Sequence, residues 1–486
     1  MLKFSILFLL LLFSMFTSCE PASETNNMVE RVQPYSENPR YWEYQGEPVL
    51  LLGGSAEDNL FNHPGLEPGG LETHLDLLVE SGGNYLRNTM SARNPGNRYP
   101  FRRLENGLYD LTQWDERYWN RFEDYLDMTR ERDIIIQLEF WDPWDMYRSE
   151  GEGMTDFRQG NTGWESHPFN PDNNINYDTE DSDLPVAIDY FPGAEPTSHS
   201  FFHSVPDMEN NELVLQYQQA FIDRVLSYTL RYPHIIYCIN NETGEDVLWG
   251  DYWIRYILEK ANKEGVEIYA TDMRRNEHIN GPDHRYIHNR PDLYTFVEIS
   301  QNNGQTVSGQ QHWDEIIELR AYLADNPRPM NNNKIYGGPD GWGGEDEGLQ
   351  KFWRNIFAGS ASARFHRPPA GHGLNELARN HLESMRMIEE RVNIFSSLPS
   401  NDLLSGREEN EAYLLAEQGV SYAIYFPNEG SVELDLSDAE GEFLVSWLNI
   451  QQNEWTTENH AEGGEPLLLE TPGIGHQAAV IIRQSP

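Results

Sequence analysis

The 486-residue chain has two cysteines, Cys19 and Cys238, so no disulfide framework can hold it and stability must come from a buried core. Positive charge is also scarce. Against 79 Asp and Glu there are 35 Lys and Arg, a formal net charge of −44. A field of that sign repels nucleic acid and anionic membrane surfaces, which argues against both as partners. A solvated acidic surface suited to a salty habitat accounts for the charge without any recognition role. No Gly-x-Ser-x-Gly elbow occurs, and Cys238 lies in a run too apolar for a nucleophile. The stretch "LLGGSAEDNLF" carries two acids where a dinucleotide loop would carry glycines. Solenoid repeats and low-complexity tracts are missing as well.

What is present begins with "MLKFSILFLLLLFSMFTSC", a cation at Lys3, an apolar stretch and small residues before Cys19. Residues 1–19 are predicted to be a secretory signal whose final "FTSC" resembles a bacterial lipobox, which implies Cys19 lipidated and the mature chain exported to an outer membrane, with ordinary cleavage near Ser18 as the rival. Membrane contact is then expected only through that anchor. Residues 20–40, with Pro21, Pro34 and Pro39, are predicted to be a linker.

From residue 41 to 395, apolar runs alternate with amphipathic segments. Strands are expected at Val49–Gly53, Asn84–Asn88, Ile134–Glu139, Ile235–Ile239, Val266–Ala270, Tyr294–Ile299, Lys334–Gly337 and Ala361–Phe365. Between them "NELVLQYQQAFIDRVLSYTLRY" aligns Leu213, Tyr217, Phe221, Val225 and Tyr228 on one helical face. Eight such strands separated by helices predict an α/β fold, a (β/α)8 or TIM barrel. A long aromatic insertion, 141–211, follows the third strand and should overhang the barrel mouth. Residues 396–486 alternate at period two between turn residues, which predicts a small antiparallel β-sandwich.

Barrel enzymes place their chemistry at the C-terminal ends of the strands. The fourth expected strand empties into Asn240, Asn241 and Glu242; a carboxyl against an apolar wall there would have a raised pKa and could give up a proton. Capping of a following helix by "NNETGED" is the bland alternative. Other strand ends add Asp58, Arg87, Asn88, Glu139, Trp141, Asp142, Asp340, Trp342 and His366. Acids, amides and tryptophans at one rim suit a carbohydrate: Trp faces stack on sugar rings, amides and acids bind hydroxyls, and paired carboxylates do the chemistry.

The Asn241-Glu242 pair resembles the strand-four motif of the large retaining clan of (β/α)8 glycoside hydrolases. The order "QGEPVLLLGG", "FWRNIFAGSASARFHRPP" and a terminal sandwich is similar to the apiosidase-like hydrolases, and "YAIYFPNEGSVELDLSDAEGEFLVSWLNIQQNEW" to their C-terminal module named for collagen binding. The resemblance implies an exported hydrolase with Glu242 as acid/base and a second acid after strand seven. Glu is the family residue there; this chain offers Asp340, with Glu298 and Glu139 as further candidates. At the rim of strand ends, Asp58, Arg87, Asn88, Trp141, Asp142, Asn240, Asn241, Trp342 and His366 are expected to bind substrate. A non-catalytic surface protein that captures glycan or matrix is the alternative.

No cofactor or metal is expected. "DNNINYDTEDSD" sets Asp172, Asn174, Asn176, Asp178 and Asp183 at calcium-loop positions, but Tyr177 stands where such loops need Gly, and an acidic ordered loop explains it more cheaply. His278, His284 and His288 read as loop residues rather than a zinc site.

Overall fold

The computed structural model describes residues 31–66, 69–94, 96–146, 163–187, 199–304, 306–338 and 343–484. The expected signal with Cys19, and the candidates Asp340 and Trp342, lie outside the described residues.

Eight parallel barrel strands are β1 Leu51–Gly54, β2 Tyr85–Thr89, β3 Ile135–Trp141, β4 Ile235–Asn240, β5 Ala270–Thr271, β6 Val297–Glu298, β7 Met330–Asn331 and β8 Ser362–Phe365. Hydrogen-bonded neighbours run β5-β4-β3-β2-β1-β8, with β6-β7 as a separate parallel pair. Backbone bonds close the ring. Thr295 N donates to Ala270 O at 2.9 Å between β5 and β6, and Ala361 N to Met330 O at 2.8 Å between β7 and β8. Around it lie α1 Gly70–Glu80, α2 Glu116–Arg130, α3 Glu212–Thr229, α4 Val247–Lys263, α5 Pro282–His288, α6 Gly309–Tyr322, α7 Glu345–Phe357 and α8 Glu376–Glu389. Caps set their starts: Asp115 accepts from Arg117 N and Tyr118 N before α2, and Asn211 from Val214 N before α3.

Three expectations need correction. The seventh strand lies upstream of Lys334–Gly337, because Asn331 and Asn333 face a polar barrel interior rather than a loop. Asn331 accepts from Trp42 Nε1 at 2.8 Å and donates to Gln137 Oε1 at 3.2 Å. Residues 31–40 are not a tether: Gln33–Pro34 pairs with Trp42–Tyr44, Val32 is buried, and Arg31 donates to the carbonyls of Leu230 and Tyr232. The segment holding His284 and His288 is helical, and His284 Nε2 sits 2.7 Å from Asn276 O.

The C-terminal sandwich sets a six-stranded antiparallel sheet against a three-stranded one, with Ile424, Phe426, Phe443, Trp447 and Ile481 between. Its other face joins the barrel core directly. Trp353 of α7 stacks on Tyr425 with ring centroids 5.1 Å apart, and His476 Nε2 lies 2.7 Å from Asp346 Oδ1. Trp353 is wholly buried in a cluster that spans both modules. Trp353→Ala is expected to cost about 3–5 kcal/mol, and to split one denaturant transition into two, as read by circular dichroism.

Candidate active site

The mouth is built on an arginine. Arg87, fully buried on β2, donates from Nε to Glu139 Oε1 at 2.8 Å and from Nη1 to Asp58 Oδ1 at 2.6 Å. Asp58, just past β1, also accepts from Arg93 at 2.7 Å and Arg367 at 2.7 Å. Glu139 on β3 accepts from Asn333 Nδ2 at 3.0 Å, which ties in the exit of β7. Burial pushes the Asp58 carboxyl up, yet Arg367 and Arg87 overcome this and hold it well below the usual carboxylate range.

Glu242 stands above this floor in a left-handed backbone, φ 54°. Its neighbours are pinned: Asn241 N donates to Trp141 O at 2.8 Å and Thr243 N to Met273 O at 2.9 Å. The chain therefore bulges between anchors on the β3 and β5 sides, a strain of about 1–3 kcal/mol that such anchoring sustains. The carboxylate is fully engaged. Oε1 accepts from Lys334 Nζ and from Tyr336 OH at 3.0 Å, and Oε2 from Trp144 Nε1 at 3.0 Å. Lys334 also donates to Asn241 Oδ1 at 3.1 Å. Burial favours the neutral acid, but Lys334 outweighs it, so Glu242 is held well below the usual carboxylate range. The sequence led to the opposite expectation, a raised pKa. Lys334 reverses it, because the true end of β7 brings the ammonium to the carboxylate.

Of the residues expected at the site, Asp58, Arg87, Glu139, Asp142, Asn241, Glu242 and His366 converge. Asp142 accepts from Asn241 Nδ2 at 3.1 Å and pairs with Arg93; the His366 ring lies 4.7 Å from that of Tyr336 and its Nδ1 3.7 Å from Asp58. Others turn away. Asn240 is spent on Asp272 and Trp249, and Asn88 on the backbone of Leu60 and Thr89. Trp141 is core, packed on Phe201, Phe221, Trp249 and Trp253. Glu298 is sealed under the floor, 2% exposed, accepting from Gln137 at 2.7 Å and Ser300 N at 2.9 Å, and burial lifts it to about 7.

The sequence reading missed Lys334, Tyr336 and Trp144, and gave no role to Glu57, one of the two acids in "LLGGSAEDNLF". "WDPWD" held the signal for Trp144: Asp142 accepts from Trp144 N at 3.0 Å in a turn, and that turn aims the second tryptophan at Glu242. Glu57 at the rim accepts from Asn94 Nδ2 at 2.9 Å and faces His63 Nε2 at 3.3 Å. Burial lifts it to about 7 against the pull of Arg367, and its side chain stays 25% exposed. Among the candidate calcium ligands, Asn174 accepts from Asn176 N and Tyr177 N, and Asp178 from Asp181 N. These oxygens cap their own turns.

No protein-family model matches the chain, and no curated protein matches its sequence. Among solved structures, a glycoside hydrolase superposes with a TM-score of 0.63 at 12% identity, over 94% of this chain and 98% of that one. A glycoside hydrolase family 5 protein from Bacteroides vulgatus gives 0.60 at 12% identity, over 93% of each chain. The likeness is one of fold, barrel and sandwich together.

Removing the ammonium by Lys334→Met is expected to raise the Glu242 ionisation above the ordinary carboxylate range, read by infrared difference titration against Glu242→Gln. A second titration concerns the insertion, which His203 ties to the β4 exit. His203 Nδ1 is 3.0 Å from Glu209 and Nε2 3.5 Å from Glu245, and hydrogen bonding to Glu245 raises its pKa from 6.5 to about 9. The folded value exceeds the unfolded one, so this stabilisation is complete below about 6.5 and fades as pH rises through about 9. His203→Gln should flatten the fall of Tm over that window.

Proposed function

We propose that the chain is a glycoside hydrolase acting on a polysaccharide or oligosaccharide, exported and held at an outer membrane through Cys19. The observation that carries this reading is an ionised Glu242, exposed at one edge, beside Trp144 and Tyr336 at the mouth of a (β/α)8 barrel. An indole edge and a phenol beside a carboxylate suit a sugar ring, and the fold is that of structures named as glycoside hydrolases.

The two carboxyls of such a reaction need opposite protonation states. Glu242, kept ionised by Lys334, serves at the anomeric carbon, as nucleophile or as base toward water. The proton for the leaving oxygen then comes from another carboxyl. Glu298 holds a proton near neutrality but is sealed from any ligand. Glu57 holds one near neutrality with an open edge, and it adjoins Asp58, which contacts the His366–Tyr336 pair beneath Glu242. As the glycosidic C–O bond breaks, Glu57 protonates the departing oxygen and water completes the product. Arg87, Arg93 and Arg367 fix the floor, and Asn241 and Asp142 position Lys334 and the Trp144 turn.

One observation favours a second reading, a non-catalytic glycan-binding protein: a lysine occupies the β7 exit, where a two-carboxylate barrel would put an acid. Reducing-end release on a panel of plant and algal glycans separates the two. Glu242→Gln should lower kcat by about 10²–10⁴-fold with folding intact. Glu57 acts in its acid form, so turnover should fall as pH rises through about 7. Glu57→Gln should remove most activity on alkyl linkages yet spare aryl glycosides, whose leaving groups need no proton. Binding without sugar release by the unaltered protein would instead leave the non-catalytic reading standing.

A further inference from the structure

A hairpin, Phe101–Arg103 paired with Tyr109–Trp114, lies in the connection from β2 to α2 and so rises on the mouth side of the barrel. Its outer face and the start of α2 enclose an open depression of about 620 Å³ lined by Arg98, Arg102, Arg103, Gln113, Trp114 and Arg117. In a chain with 79 acidic and 35 basic residues, four arginines on one wall are conspicuous for their partners. Arg98 pairs with Asp115. Arg102 donates to the Gln113 amide oxygen at 2.7 Å and Arg103 to the Gly107 carbonyl at 2.9 Å. Both are exposed, and neither forms an ion pair with a carboxylate among the described residues. Among the described lining residues two are acids, Asp115 and Glu116, and Asp115 is spent on Arg98 and on capping α2. Trp114 supplies a flat wall: its inner face stacks on Phe101 with centroids 5.4 Å apart, and the side chain is half-buried.

We propose that this depression is a subsite for the anionic groups of a glycan, sulfate esters or uronate carboxylates, carried along the chain that enters the mouth. Guanidinium forks match both oxyanions bidentately, and a tryptophan wall takes the sugar ring between them. The chain as a whole, at −44, repels such a polymer, which directs it to this basic patch. The inference rests on the carbohydrate reading of the mouth for the kind of polymer, not for the binding itself.

Affinity electrophoresis and calorimetry of the mature protein with a sulfated galactan, a polyuronate and a neutral galactan test it. The unaltered protein should prefer one of the two anionic polymers, which also identifies the oxyanion, and the affinity should weaken with added salt. The double variant Arg102→Gln/Arg103→Gln should bind that polymer at least about tenfold more weakly, with an unchanged Tm as the control for folding. Glu242→Gln, assayed alongside, should keep the binding while losing turnover. Equal affinity in the double variant, no preference for an anionic polymer, or tighter binding to anionic vesicles or DNA than to any glycan would overturn the subsite. Loss of binding in the double variant of a protein that releases no sugar would leave the subsite and remove the hydrolase.

Discussion

A buried guanidinium is tolerable only when acceptors surround it, and Arg87 sets that condition for the whole mouth. Removing such a charge from water costs several kcal/mol, repaid only by close and complete pairing. Asp58 and Glu139 provide that pairing, one from the exit of β1 and one from β3. Each then requires further donors, which come from Arg93, Arg367 and Asn333 on other strand ends. Satisfying one cation thus fixes five neighbouring exits relative to one another. Losing one member would leave an uncompensated charge on the rest, so this floor is expected to behave as a unit, not as separable contacts.

Much of the fold was legible in the sequence, because β1, β3 and β4 are largely apolar runs of strand length and sandwich strands such as Ser431–Leu434 alternate buried and exposed residues. β7 was not. "PMNNNKIYGG" offers apolar residues at Ile335 and Tyr336, where propensity puts a strand, but the paired residues are Met330 and Asn331. Here the barrel interior is a polar layer of Tyr85, Gln137, Glu298 and Asn331 joined by hydrogen bonds, and an asparagine fits that layer better than a valine would. A period rule built on hydrophobic burial cannot register such a strand. Shifting the strand by four residues hid Lys334, which was read as the start of the strand and stands instead at its exit. Trp141 and Trp144 failed similarly, since strand geometry buries the first and the Asp142 turn presents the second.

The lysine changes what a carboxylate at the β4 exit can do. Position on the barrel does not set the protonation state of Glu242; the charges within hydrogen-bond reach do. With Lys334, Tyr336 and Trp144 all donating to it, the carboxylate stays ionised although burial favours its neutral form. The acidity of Glu242 is therefore set by Lys334, and through it by where β7 ends. The left-handed backbone at Glu242, φ 54°, pinned by Asn241 N on Trp141 O and Thr243 N on Met273 O, sets where that carboxylate meets the ammonium.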